Sequence, residues 1–233
     1  MACILMMVAI DVRAFLKRRQ AQLEKGETVA SHLTGAEGTQ PWTHPGCRRR
    51  GFKARGIDGV GIDELMKAAG MSHGGFYNHF PSKEDLALEV LHQGFTDSLD
   101  TVAAVIDTHA HSGRAALHAI IDTYLSTEHR DHPEHGCASA ALAADAGRHG
   151  VKAQEAYRRG LQGYIGAFAD LLRVSARQRG TKLDARRARE QAIGLFSQMV
   201  GAQLIARAVA HADPGLSDEI LSSNSKALKR LRM

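Results

Sequence analysis

Residues 61–86 read GIDELMKAAGMSHGGFYNHFPSKEDL, and the order of residue types in this stretch decides the fold. Ile62, Leu65, Met66 and Ala69 recur at helical spacing, which gives a first short helix one apolar side. Gly70 suits the end of that helix, because glycine takes a left-handed conformation without the penalty of a Cβ. Met71 is apolar and can plug the corner, and Ser72 has a hydroxyl able to cap the next helix. Two helices joined across a short turn containing glycine are a helix-turn-helix, the motif whose second helix enters the DNA major groove.

Working outward, composition agrees with an all-α chain: aromatics make up 5%, alanine is abundant and there are five prolines in 233 residues. The length suits one large domain or two small ones. The net charge of +5 permits a nucleic-acid partner without requiring one. The local balance is sharper. Between Cys47 and Lys83 seven basic residues (Arg48, Arg49, Arg50, Lys53, Arg55, Lys67, Lys83) face three acidic ones (Asp58, Asp63, Glu64), a net of +4. Most of the excess charge therefore lies with the helix-turn-helix pattern. Cys3, Cys47 and Cys137 show no pairing logic and no CxxC spacing, which points to a reducing cytoplasm with neither disulfide framework nor metal site. The opening MACILMMVAI lacks a basic leader and soon meets charge, so no signal peptide is expected. Nor does any apolar run approach the ~20 residues of a membrane span.

The stretches Ala69-Gly70-Met71-Ser72, Gly74-Gly75-Phe76-Tyr77-Asn78-His79-Phe80 and Ser82-Lys83-Glu84-Asp85-Leu86 together resemble the tetracycline-repressor (TetR) family of bacterial transcription regulators. Phe52 and Gly56, in GFKARG, resemble the end of that family's first helix, and Met66 departs from its usual small residue. The resemblance covers about forty residues; the rest fits only as a helical body of suitable length. It implies an all-α protein with an N-terminal three-helix helix-turn-helix DNA-binding domain, then a helical ligand-binding and dimerisation domain. The expected boundaries are 1–45 for an atypical extension, 46–92 for the head and 93–233 for the body.

The resemblance also assigns roles. Tyr77 and Lys83 are expected on phosphates, with His73, Gly75 and Asn78 near base edges. Asn78 is a plausible reader of adenine, since an amide pairs bidentately with that base. Ser72, His73, Gly74 and Gly75 open the helix, where free N–H groups and the positive dipole end suit a phosphate. His79 completes the set, as either a DNA contact or ordinary packing. Phe76 and Phe80 are expected to pack inward. The implied partners are double-stranded operator DNA with a palindromic site, a second copy of the chain and a small-molecule effector. No membrane, cofactor or metal is implied. The expected effector pocket draws on Leu117, Ile121, Tyr124, Cys137, Leu142, Tyr164 and Phe168, any of which could equally be plain core.

Residues 1–45 fit this scheme least. Val8 to Lys25 reads as a basic amphipathic helix, and Gly26 to Gly46 as a linker. Pro45-Gly46 and Gly51 limit the family's first helix to about ten residues, since interior proline costs ~3 kcal/mol and glycine ~1. Either the start is altered or misassigned, or the segment is an arm for DNA or a partner. Rival readings follow from this: a helical protein with a defective head, or a constitutive DNA binder without effector.

From Lys83 a helix should run past Phe95, followed by segments near 97–110, 113–129, 137–147, 151–176, 184–211 and 216–232. Those near 184–211 and 216–232 would form the dimer bundle. His129, His132, His135 and Cys137 are ligand types that zinc uses, yet Pro133 and Gly136 make this stretch a polar inter-helix loop. Cys137 opens an alanine-rich helix, a place where a thiol tends to become more reactive, although a small space-filling cysteine is the plainer account. No GxSxG, P-loop or HExxH is present, so no enzyme is expected.

Overall fold

The computed structural model describes Lys53, residues 56–63, Phe76, Tyr77, residues 80–133 and residues 136–230. Everything expected of residues 1–45, and of 64–75, lies outside the described residues. Among the described residues the chain is helical and contains no strand. Seven helices can be followed end to end: α1 Lys83–Thr108, α2 Gly113–Tyr124, α3 Thr127–Asp131, α4 Ala138–Arg148, α5 Gly150–Gln178, α6 Ala185–Val209 and α7 Pro214–Arg230.

Local chemistry sets most of the starts. Ser82 Oγ accepts from Asp85 N (3.1 Å) and donates to the Asp85 carboxylate (2.8 Å), so α1 begins with a reciprocal cap. Ser112, Ser126 and Asp184 cap α2, α3 and α6 in the same way, each bond worth ~1 kcal/mol. Pro214 stands first in α7, where a missing N–H costs nothing. Gly150 takes φ +76 between α4 and α5, a turn that only glycine makes easily.

Two boundaries differ from expectation. The helix from Lys83 does not end near residue 96; α1 is continuous for 26 residues and crosses the 92–93 boundary between head and body. Thr96 bonds back to the His92 carbonyl (3.2 Å) and leaves the helix intact. The segment near 113–129 is broken instead, because α2 ends at Tyr124 and Ser126 caps a fresh turn.

The body is built around α5, which packs on α1, α2, α4 and α6, while α7 lies against α6 and α2. Close approach depends on Gly160: a Cβ there would sit 2.1 Å from the Phe95 ring. A second glycine, Gly163, faces Leu99 one turn on. Tyr164 stacks on Phe196 at 4.6 Å and Phe168 joins them, forming an aromatic centre between α5 and α6. Ile57, Val60 and Phe76 are fully buried and continue this core through Leu86, Val90 and Leu91 on α1.

By length and composition alone α6 is apolar enough to cross a membrane, contrary to the expectation that no segment is. Its Leu195, Phe196, Met199 and Ala206 are buried against the rest of the body, so much of that apolarity belongs to the core.

Candidate functional site

Between α1, α2, α3, the start of α4 and α5 lies a cavity of about 240 Å³. Val102 and Val105 of α1, Ile120 of α2 and Phe168 of α5 give it apolar walls. Ser98, Tyr124, Cys137 and Tyr164 supply polar groups, while Glu128 and His132 stand on its exposed rim. Of the residues singled out in the sequence, Tyr124, Cys137, Tyr164 and Phe168 line this cavity. Leu117, Ile121 and Leu142 are buried in the core and do not line it. Ser98, Val102, Val105, Ile120 and His129 were missed. Those on α1 carry a signal nonetheless, since Phe95, Leu99, Val102 and Ile106 recur at intervals of three and four.

Cys137 is a free, buried thiol immediately before α4. Its sulfur lies 2.7 Å from Ser139 Oγ and donates to Tyr164 Oη at 3.2 Å. Burial foremost, and then the neighbouring Cys137, push the Tyr164 phenol well above its usual range. Tyr124 is raised likewise, for the same two leading reasons. The Tyr124 hydroxyl is buried beside the Cys137 thiol.

His129 fixes the mouth of the cavity. Its Nδ1 donates to the Tyr124 carbonyl (2.7 Å) and its Nε2 accepts from Cys137 N (2.9 Å), which selects the neutral tautomer. Burial foremost, with smaller contributions from Arg207 and Lys53, lowers its pKa to about 4 against the upward pull of the Tyr124 carbonyl. With both nitrogens engaged, His129 has no lone pair for a metal. His135 and Glu134 lie outside the described residues, and no group of three metal-ligating side chains occurs among those described.

Two sets of bonds tie the cavity to its surroundings. On one side, Arg207 of α6 donates to the carbonyls of His129 (2.6 Å) and Arg130 (3.1 Å). Arg130 reaches Ser217 (2.8 Å) and Asp218 (2.6 Å) of α7, so α3 is anchored on the α6–α7 pair. On the other side, Lys53 Nζ donates to the Gly136 carbonyl (2.7 Å) in a buried bond. At the far end of α4, Asp145 Oδ1 accepts from Ile57 N (2.9 Å). Gly56, at φ +75, has no room for a Cβ, which would lie 2.9 Å from the Asp145 carboxylate. His149 Nε2 stands 3.4 Å from Asp58, an ion-pair distance once the ring is protonated. Lys53, counted among the basic residues of the head, thus points inward to α4.

Of the expected DNA contacts, Tyr77 is 55% exposed and lies edge-on to the buried Phe76 ring (5.2 Å). Lys83 is the first residue of α1. Ser72, His73, Gly74, Gly75, Asn78 and His79 lie outside the described residues.

Residues 49–90 match the family model described as bacterial regulatory proteins, tetR family. The chain is 36% identical over 56 residues to the HTH-type transcriptional repressor DhaR of Mycobacterium sp. (strain GP1), covering 24% of this chain and 28% of that protein. It is 35% identical over 77 residues to the HTH-type transcriptional repressor KstR2 of Rhodococcus jostii (strain RHA1), covering 31% and 35%. These matches span about a third or less of the relatives' own length. The fold is similar over most of its length to the crystal structure of a TetR-family transcriptional regulator from Agrobacterium tumefaciens. There the TM-score is 0.64 at 20% identity, covering 78% of this chain and 94% of that one. Residues 49–90 thus match the model of the tetR family of bacterial regulatory proteins, and the helical body that follows them shares its fold with a regulator of that description.

Proposed function

We propose that this protein is a DNA-binding transcriptional regulator of the cytoplasm, a homodimer that represses from a palindromic operator and is released by a small molecule held in the cavity. In this reading residues 46–92 form the head, with Tyr77 and Lys83 on phosphates, and 93–233 form the sensing and dimerising body. The observation that carries it is the wiring of α4. This helix starts in the cavity wall at Cys137 and is hydrogen bonded near both ends to Lys53 and Ile57, inside the segment 49–90. The opposite wall, α3, is bonded to α6 and α7. A ligand that fits between the two walls alters their spacing and carries residues 53–57 with α4. It acts only through unequal affinity for the two arrangements.

In this reading the dimer forms through α6 and α7, and the support is that Ile193, Leu204, Ile205 and Leu216 are each more than 40% exposed. Two-fold symmetry then sets two heads on successive major grooves.

The test is a fluorescence-anisotropy titration with the DNA upstream of the protein's own coding sequence, beside scrambled DNA, at two salt concentrations. Tight, sequence-preferring binding with a steep salt dependence is expected. Tyr77→Ala should weaken it on every sequence. Equal, weak binding to both DNAs would sink the reading and favour a helical protein with a compromised head.

A further inference from the structure

Neither the cavity nor the helix-turn-helix uses the most basic exposed stretch of the body. Residues 177–190 are the end of α5, the turn after it and the start of α6. They hold Arg177, Arg179, Lys182, Arg186, Arg187 and Arg189 against Asp184 and Glu190, a net of +4 in 14 residues. The segment from Cys47 to Lys83 spreads the same net charge over 37. All six basic side chains are exposed. Arg186 reaches Glu190 (3.0 Å) and Arg187 reaches Asp184 (3.6 Å), pairs so open to water that each contributes little. Arg179 donates to Ser175 Oγ (2.7 Å). No carboxylate among the described residues pairs with Arg177, Lys182 or Arg189. Like charges this close repel one another, and a bound polyanion relieves them.

The stretch is remote from residues 56–63. His149 stands just before α5 and 3.4 Å from Asp58, and the 29 residues of α5 rise ~43 Å from there to Gln178. Gly113 N donates to Gln178 Oε1 (2.8 Å), so α1, which starts at Lys83, also leads to this far end.

What the surface lacks narrows the partner. Among the described residues the large apolar side chains that are exposed are Tyr77, Val151, Ile193, Leu204, Ile205 and Leu216, none of them within 177–190. Leu183, the one large apolar residue of the stretch, packs on the core. A protein partner would call for an apolar centre, and a membrane surface for apolar side chains beside the basic ones. A phosphate backbone needs only cations and polar groups. Five of the six are arginine, whose planar fork takes two phosphate oxygens at once.

We propose that this end of the body binds the phosphate backbone of double-stranded DNA, as a second contact surface that is indifferent to sequence. Phosphates carry no sequence information directly. About 40 Å from the head, the surface is out of reach of the duplex that the head holds, so it takes a separate segment. In a dimer whose two heads face one operator, both copies of the surface lie at the other end and the protein links two duplexes. The surface itself does not depend on the regulator reading; the linking does.

The experiment saturates the full chain with its upstream duplex and then titrates a labelled scrambled duplex, at several salt concentrations. The parent should bind this second duplex weakly and with a steep salt dependence. Arg177→Gln, Lys182→Gln and Arg189→Gln together remove three charges and break no ion pair. They should weaken the second duplex by at least about tenfold and make the salt slope shallower by about two to three, while the first duplex binds as before. Arg177→Lys with Arg189→Lys keeps the charge and should keep most of the affinity. A second duplex that does not bind, or that binds the triple variant as it binds the parent, overturns the proposal. So does a weakening seen on phosphatidylserine vesicles or polyglutamate and not on DNA. Failure of the regulator reading shows differently: the upstream duplex then gains no preference over the scrambled one, while the triple variant still binds both less well than the parent.

Discussion

His129 holds the cavity mouth without carrying a charge, and its burial gives a pH dependence with a definite sign. The folded-state pKa of about 4 lies below the ordinary 6.5, so between these values the unfolded chain takes up a proton that the folded chain refuses. Stability from this residue is full above about pH 7, falls as pH drops from 6.5 toward 4, and is level below that. Roughly 2 kcal/mol should be lost by pH 5. Urea midpoints at pH 7.5 and 5.0 read the loss, and His129→Gln, which keeps a donor and an acceptor, should show a smaller difference between the two. Gly160 makes the complementary point about space. Gly160→Ala drives a Cβ into the Phe95 ring and should cost ~1–3 kcal/mol. Gly147→Ala, exposed on α4 with nothing within 4 Å, should instead gain up to ~1 kcal/mol. Melting temperatures of the pair should move in opposite directions. At this scale the sequence was only partly legible. Tyr124, Cys137, Tyr164 and Phe168 stand out by type, but Leu117, Ile121 and Leu142 share their periodicity and turn to the core. Periodicity says that a face is covered, not whether atoms or a void cover it. No local pattern marks Gly160, because its partner Phe95 lies 65 positions earlier in the chain.

At the scale of elements, most helices announce themselves through their caps: Ser82, Ser112 and Asp184 each precede an apolar-periodic run and accept from the backbone three residues on. What was misread depends on tertiary bonds. The end of α2 is fixed where the Tyr124 carbonyl takes His129 and Gln203, the latter from α6, and no local pattern encodes that. The tie of α4 to residues 53–57 is equally remote, joining positions 83 and 88 apart. It yields a prediction peculiar to α4. Asp145→Ala leaves the Ile57 N–H without its acceptor, a loss of ~1–3 kcal/mol. Lys53→Met removes the buried bond to Gly136 while filling much of the same space. If α4 carries the state of the cavity to the head, a small molecule that changes the parent's DNA affinity should change that of both variants less. Anisotropy titrations with and without ligand measure the ratio directly. A ratio equal to the parent's in both variants would remove α4 from the route and leave α1, continuous from head to body, to carry the signal.

For the whole molecule, the distribution of apolar surface argues for a second copy of the chain. The aromatic centre consumes one face of α6 through Leu195, Phe196 and Met199, yet Ile193, Leu204 and Ile205 remain 42%, 41% and 57% exposed on the same helix. Leu216 at the start of α7 is 44% exposed. Gly194 and Gly201 lie on α6 as well, and a Cβ at either would meet nothing within the chain. Another backbone can therefore approach closely there, and a two-fold axis would set α6 and α7 against their equivalents as a four-helix bundle. Replacing Ile205 with glutamate places two like charges at the centre of that contact, where neither has a partner to offset its dehydration. The variant should sediment as a monomer at micromolar concentration, against a dimer for the parent. Its head is untouched, so each monomer retains the weak, salt-dependent hold on DNA of one half-site and loses the gain from two linked heads, which can exceed ~100-fold. Retained dimerisation in Ile205→Glu would move the interface off this face of α6. Monomers that keep full operator affinity would break the link between two-fold symmetry and DNA recognition.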